Sequence, residues 1–299
     1  MAKDTTHLSG ERYLTTSELA ELLRIKQRKV YDLAAQGDVP CSRATGKLLF
    51  PETQIRAWLA DHGQGYSHLS KSRPYVLLGS HDPLLDWAIR ESECGLATYY
   101  NGSSDGLRRF NALEGIATGL HLVDSNTGLW NVDSVEGQCR GQNAVLIEFG
   151  WRERGMILSK DIDTSGFALK NLIGLRVAGR QPGSGAQRFL EVLLAKDSIA
   201  TNQIQYSQVA RTETEAADAI STGQADVTFG LQSVAKQYNL PFIGLAKERF
   251  DILVNRKAWF EPGFQSLFEF LKGSEFATRV LASPGYDCDG LGTVHFNGD

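Results

Sequence analysis

Three short stretches of the chain carry groups suited to holding an anion: Ser80, Ser103-Ser104 and Gly183-Ser184-Gly185. Each follows an apolar run that reads as a strand and precedes an amphipathic segment that reads as a helix. Hydroxyls and backbone N–H groups therefore gather beside a positive helix end, which captures oxyanions without a metal. Serine and glycine at such turns also serve as plain caps, and it is the recurrence of three that points to a site. A second chemistry stands near the N-terminus, where Lys26, Gln27, Arg28 and Lys29 are consecutive. Glutamine and arginine match the edges of adenine and guanine, and lysine matches phosphate. Other chemistries find little support. Cys41, Cys94, Cys139 and Cys288 are scattered, with no CxxC pair and no Cys/His cluster, so neither a metal site nor a disulfide framework is expected. Gly183-Ser184-Gly185 is not a GxSxG elbow, and no Ser/His/Asp order orients His81 or His121 as a base, so no enzymatic role is expected.

The basic cluster needs a helix to present it. Thr15-Thr16-Ser17-Glu18 has capping-box spacing, and Leu19, Leu22 and Leu23 follow as one apolar stripe. Arg24-Ile25 leads at once into a second helical segment, Lys26 to Ala35, buried through Val30, Leu33 and Ala34 and stopped by Gly37. Two short helices joined by a tight turn put the first turns of the second into a DNA major groove. Asp38-Val39-Pro40 breaks the chain. Cys41 to Phe50 then reads as a hairpin turning at Thr45-Gly46-Lys47, with Arg43 and Lys47 placed for DNA backbone contacts. Pro51-Glu52 opens a third helix with Ile55, Trp58 and Leu59 on one face.

Residues 61–74 have no apolar period and read as a linker, His62 and His68 included. From Tyr75 short apolar runs alternate with amphipathic segments, the pattern of an α/β sheet protein. Strands are predicted at Tyr75–Gly79, Ala97–Tyr100, Leu120–Val123, Val145–Phe149, Gly174–Ala178, Ala225–Phe229, Phe242–Leu245 and Ile252–Val254. Helices are predicted at Pro83–Glu91, after Gly106 through Leu107, Phe110 and Leu113, and at Ala186–Ala195.

The head resembles the winged-helix family of phage excisionases and MerR-type regulators. The carrying residues are Leu14 to Leu23, Val30-Tyr31, Gly37-Asp38-Val39-Pro40, Leu49-Phe50-Pro51 and Trp58-Leu59, with Lys26 departing from the usual capping serine. The body resembles type II periplasmic-binding-protein folds, most closely the molybdate-binding-like domain fused to helix-turn-helix heads. Here the residues are Gly102 to Leu107, Gly119-Leu120-His121, Thr127-Gly128 with Asn131, Arg180 with Gly183-Ser184-Gly185 and Arg188, Gly223 to Gly230, and Glu248 with Asp251. Glu213 departs, standing where such domains often carry a histidine. The resemblance implies a winged helix-turn-helix domain over 1–62, a linker over 63–74 and a two-lobed α/β ligand-sensing domain over 75–299. Lobe one would take about 75–150 and 255–299, and lobe two about 151–254. It also implies a ligand between the lobes, contacted by Ser80, Ser103 and Ser104 on one side and Ser184 and Gly185 on the other, with Arg180 supplying charge and His121 lining the cleft.

Composition agrees with this division. The 299 residues are 42% hydrophobic and 22% charged, with a net charge of −4. Residues 1–73 hold 11 Lys+Arg against 8 Asp+Glu, while residues 74–299 hold 20 against 27, so a basic head precedes an acidic body. The start of the chain has no apolar core of signal-peptide length and no later run is long enough to span a membrane, so a cytoplasmic location is expected. The expected function is a ligand-responsive transcription regulator, a homodimer or higher homo-oligomer on a double-stranded DNA operator. Its expected effector is a small anion, molybdate or tungstate by resemblance. A small carboxylate metabolite, a solute-binding protein of a transport system and, for the head alone, an architectural excisionase role stay open.

Overall fold

The computed structural model describes residues 12–43, 46–62, 73–124 and 127–298. Contacts divide the chain into two units, Met1–Ser72 and Arg73–Asp299.

In the first unit β1 (Tyr13–Thr15) leads into α1 (Thr16–Leu23), then α2 (Gln27–Gln36), β2 (Leu49–Pro51) and α3 (Glu52–His62). The expected capping box forms: Glu18 N–H donates to Thr15 Oγ1 at 3.3 Å, and Thr15 N–H donates to Glu18 Oε2 at 2.7 Å. Arg24, left-handed at φ 53, ends α1 and turns the chain into α2, which Gly37 at φ 77 ends in the same way. Leu14, Leu19, Val30, Ala34, Val39, Phe50 and Ile55 close the core. Ser42 pairs with Leu49, the base of the expected hairpin, whose tip at Thr45 lies outside the described residues. One strand was not foreseen: β1 pairs antiparallel with β2, Leu14 opposite Phe50. That pairing draws Pro51 into β2, opposite Tyr13, so the third helix begins at Glu52.

The second unit begins with β3 (Val76–Gly79), α4 (Pro83–Glu91), β4 (Ala97–Tyr100), α5 (Ser103–Asn111), β5 (Ala117–Leu120) and α6 (Val132–Cys139). The long β6 (Ala144–Leu158) crosses to β7 (Arg176–Arg180), α7 (Gly185–Lys196), β8 (Gln205–Ala210), α8 (Glu213–Ser221), β9 (Val227–Leu231) and α9 (Gln232–Gln237). Then β10 (Phe242–Asn255) returns to α10 (Arg256–Trp259), α11 (Pro262–Leu271), α12 (Ser274–Ala282), β11 (Tyr286–Asp287) and β12 (Val294–Asn297).

The sheet order is β4-β3-β5-β10-β6-β9-β7-β8. Its two halves repeat one plan. In lobe one β3 lies parallel between β4 and β5, and β10 runs antiparallel beside β5; in lobe two β7 lies parallel between β8 and β9, and β6 runs antiparallel beside β9. Each lobe thus borrows its last strand from a segment shared with the other, and β6 and β10 pair with each other over most of their length. This is the two-lobed type II plan of the periplasmic-binding-protein class. Parallel strands covered on both faces need continuous apolar runs, which Leu77-Leu78 and Val227 to Leu231 supply.

Several strand positions shift. The run predicted at Leu120–Val123 is strand only to Leu120, because Leu122 N–H is claimed by the Asn131 side chain at 2.6 Å. The runs predicted at Gly174–Ala178 and Ala225–Phe229 form as Arg176–Arg180 and Val227–Leu231. Phe242–Leu245 and Ile252–Val254 belong to one strand, β10. Asp251 to Val254 of β10 already pair with β5 of lobe one, so the return crossing precedes residue 254. Most of the linker lies outside the described residues. Arg73 is anchored in the second unit, donating to Phe110 O at 2.6 Å, Gly115 O at 3.0 Å and Gln142 Oε1 at 2.9 Å.

Candidate functional site

Ligands of open α/β sheets bind beyond the carboxyl ends of the parallel strands. In lobe one those ends carry Ser80 after β3, Ser103-Ser104 after β4 and His121 after β5. Gly102, at φ 90, turns the chain from β4 into α5, so that Ser103 starts the helix. Ser80 and Ser103 hydroxyls bond each other at 2.7 Å, and His121 N–H donates to Ser103 Oγ at 3.1 Å. The close seating of α5 depends on Gly106, where a Cβ would come 2.3 Å from Gly79 Cα and 2.4 Å from Thr118 Oγ1.

In lobe two Ser184 caps α7, its hydroxyl accepting from Gln187 N–H at 3.1 Å. Gln187 is itself fixed by Arg180 N–H at 3.2 Å and Tyr206 Oη at 2.9 Å. The two lobes meet here. Ser104 N–H points at Gly183 O at 3.4 Å, and a Cβ on Gly102 would lie 3.2 Å from Ser184 Cα. A Cβ on Gly185 would strike His121 O at 2.4 Å. The N-termini of α5 and α7 therefore face each other across the cleft with Ser103, Ser104, His121, Ser184 and Gly185 between them. Ser80 joins through Ser103.

Arg180 points elsewhere. It was expected to supply charge to the ligand; instead it is 8% exposed and its guanidinium donates to Glu213 Oε1 at 2.5 Å, Ala210 O at 3.2 Å and Arg211 O at 2.9 Å. Glu213 also takes Arg154 at 3.0 Å, Arg154 takes Glu248 at 2.7 Å, Glu248 takes Arg152 at 2.5 Å, and Arg152 takes Asp82 at 2.7 Å. His121 Nδ1 closes on Glu248 Oε2 at 2.9 Å. Three arginines and three carboxylates thus form one buried chain from lobe two, along β6 and β10, into lobe one. Burial alone would raise the Glu213 carboxyl, but Arg154 and Arg180 outweigh it and hold it at about 2. Burial lowers His121 despite Glu248 pulling the other way, which favours the neutral ring.

None of Asp82, Arg152, Arg154, Glu213 and Glu248 was picked as a site residue. A signal was present: Arg152 and Arg154, two apart on a strand otherwise buried, must share one face and find buried partners. His81 and Gln181 were also passed over. Among the described residues, His81 Nδ1 and Gln181 Oε1 are buried with no hydrogen-bond partner.

On the first unit Lys26, Gln27, Arg28 and Lys29 are all exposed around the start of α2, and Arg43 and Lys47 are exposed beside the hairpin. Gln27 Nε2 also donates to Ser17 Oγ at 3.2 Å, joining α2 to α1. Arg43 reaches back to Ala34 O at 3.4 Å.

Residues 87–272 match the PBP superfamily domain, and residues 13–63 match a helix-turn-helix domain. The chain is 25% identical to the uncharacterized protein YvgK of Bacillus subtilis (strain 168) over 299 residues, covering 94% of this chain and 96% of that protein. It is similar in path to the effector binding domain of a BenM variant, with TM-score 0.48, 10% identity, and 71% of this chain and 97% of that one covered. PhnD1 from Prochlorococcus marinus, solved with methylphosphonate, gives TM-score 0.47 at 11% identity over 72% of this chain and 92% of its own.

Proposed function

This chain belongs to the PBP superfamily, and from that premise we propose that it is a DNA-binding regulator whose second unit closes on a small anion. The observation that carries the reading is the meeting of α5 and α7, N-terminus to N-terminus, with Ser103-Ser104 and Ser184-Gly185 at the contact. First-turn N–H groups have no intrahelical acceptor, and two positive helix ends attract negative charge. Because each lobe supplies half of the donors, an anion held by both has higher affinity for the closed arrangement, and that difference is what a switch requires. The helix-turn-helix domain supplies the output. Gln27 and Arg28 read base edges while Lys26, Lys29, Arg43 and Lys47 hold phosphates. Two heads in a homodimer then span adjacent half-sites, and lobe closure alters their spacing. The setting for such a regulator is the cytoplasm, and its role is binding rather than catalysis. Among the described residues no helix is long and apolar enough to cross a membrane.

For the effector, hydroxyl and N–H donors favour an acceptor-only oxyanion such as molybdate or tungstate. A small carboxylate bearing a hydroxyl is the second reading, favoured by two observations. Glu213 already neutralises Arg180, and Gln181 Oε1, buried without a partner among the described residues, is an acceptor that a ligand hydroxyl would suit. A thermal-shift screen of the full chain separates them. At about 100 times Kd a ligand adds roughly 2.7 kcal/mol. A rise with molybdate or tungstate supports the first reading, a rise with hydroxycarboxylates alone replaces it, and no rise with either class sinks the sensor.

A further inference from the structure

Away from the Ser104–Gly183 contact, a cavity of about 290 Å³ opens between the lobes. Its walls include Pro83 at the start of α4, Ser233 and Lys236 on α9, Arg279 on α12, and Tyr286 on β11. Lobe one contributes α4 and α12, and lobe two contributes α9. Gly285, at φ 82, lets the chain turn tightly against α9, where a Cβ would come 2.8 Å from Gln232 Oε1.

The lining has the chemistry of an anion site. Lys236 Nζ donates to Ala282 O at 3.4 Å, which leaves two of the ammonium's three donors for another acceptor. The Arg279 guanidinium lies over the Trp87 ring at 5.1 Å, with its side chain exposed beside the cavity. Ser233 Oγ is buried with no hydrogen-bond partner among the described residues. Leu84 and Pro284 provide apolar surface beside these groups.

We propose that this cavity is a second ligand site that takes a small organic phosphate. Its phosphoryl group sits between Lys236 and Arg279, and its short carbon portion lies against Leu84 and Pro284. Two cations suit a dianion, and the volume, near the lower end for ligand pockets, suits a small molecule. The occupant touches α9 from one lobe and α4 and α12 from the other, so it biases the lobe arrangement through those contacts. Tyr286 carries the link inward. Its hydroxyl donates to Asp82 Oδ2 at 2.7 Å, the oxygen that also holds Arg152 at 2.7 Å in the interlobe chain of charges.

Calorimetric titration of the full chain with glycerol 3-phosphate tests this, with free glycerol as control. Saturable binding of the phosphate but not of glycerol is expected. Lys236→Ala with Arg279→Ala, both exposed side chains, should weaken it about tenfold or more, the loss that follows removal of a charged hydrogen-bond donor. Ser103→Ala with Ser184→Ala should leave saturable binding of the phosphate in place. Absence of binding, equal binding of glycerol, or indifference to the Lys236/Arg279 pair overturns the site. Binding abolished by the serine pair would assign the phosphate to the cleft instead and equally overturn it.

Discussion

Glu213 is bonded by Arg154 and Arg180 at once, all three of them buried. Removing its charge leaves buried Arg180 with backbone carbonyls alone and Arg154 with Glu248 as its remaining carboxylate. Glu213→Gln should therefore cost about 3–5 kcal/mol, measured by denaturant unfolding. A loss below the ordinary surface range of about 0.5 kcal/mol would show that water reaches the pair. The same residues set the acid response. A carboxylate held at about 2 contributes stability that is present above its unfolded value of 4.5 and is lost as pH falls toward 2. His121 acts earlier. Its folded pKa lies below the ordinary 6.5, so below that pH the unfolded chain takes up a proton that the folded chain refuses, and stability falls with pH. His81, lowered by burial in the same way, adds to that slope. Unfolding curves from pH 7.5 down to 5 should show the decline, and His121→Asn should flatten part of it. An unchanged slope in that variant would assign the effect to other groups.

At the scale of elements, α2 carries the proposed DNA contacts, and α5 and α7 carry the proposed ligand site. Arg28→Ala with Lys29→Ala alters only exposed side chains of α2 and should abolish operator binding while ligand-induced stabilisation persists. Ser103→Ala with Ser184→Ala should do the reverse; anisotropy on operator DNA and thermal shifts on both variants read the split. Equal damage to both activities would end the two-module account. Gly106→Ala forces a Cβ into Gly79 Cα and should destabilise by about 1–3 kcal/mol, as overpacking does. These elements were legible because their signals are local. The capping box at Thr15, the proline opening Pro83–Glu91 and the glycines at 102 and 183 each act within a few residues. The crossing strands were not legible. Arg152-Glu153-Arg154 and Lys247-Glu248-Arg249 interrupt apolar runs and look like turns, because the partners that neutralise them lie far away in sequence, Arg152 from Glu248 by 96 positions. Arg180 was assigned to the ligand for the same reason, since its partner Glu213 is 33 residues on. The placement of Ser104 against Gly183 likewise depends on how the two lobes meet, which no short window encodes.

For the second unit as a whole, the contact of its lobes can be fixed chemically. A Cβ on Gly183 would stand 3.7 Å from Ser104 Cβ, within the range a disulfide spans. Ser104→Cys with Gly183→Cys, the second at a left-handed position of φ 80 where a side chain costs stability, should lock the lobes on oxidation. Operator affinity should then stop responding to ligand and recover its response on reduction. A response that survives oxidation would separate regulation from closure. The two strands that join the lobes add a further consequence. β6 and β10 are 15 and 14 residues long and are hydrogen-bonded to each other from Ala144–Asn255 to Ile157–Phe242, with irregularities only at Gly244/Ala246 and Phe250/Asp251. The pivot is therefore a continuous ribbon rather than a pair of loops, and it can flex at those irregular points without parting its ladder. Amide protons of Trp151 to Arg154 should exchange with deuterium only as slowly as the whole unit unfolds, at the same rate with ligand or without, although they sit at the centre of the motion.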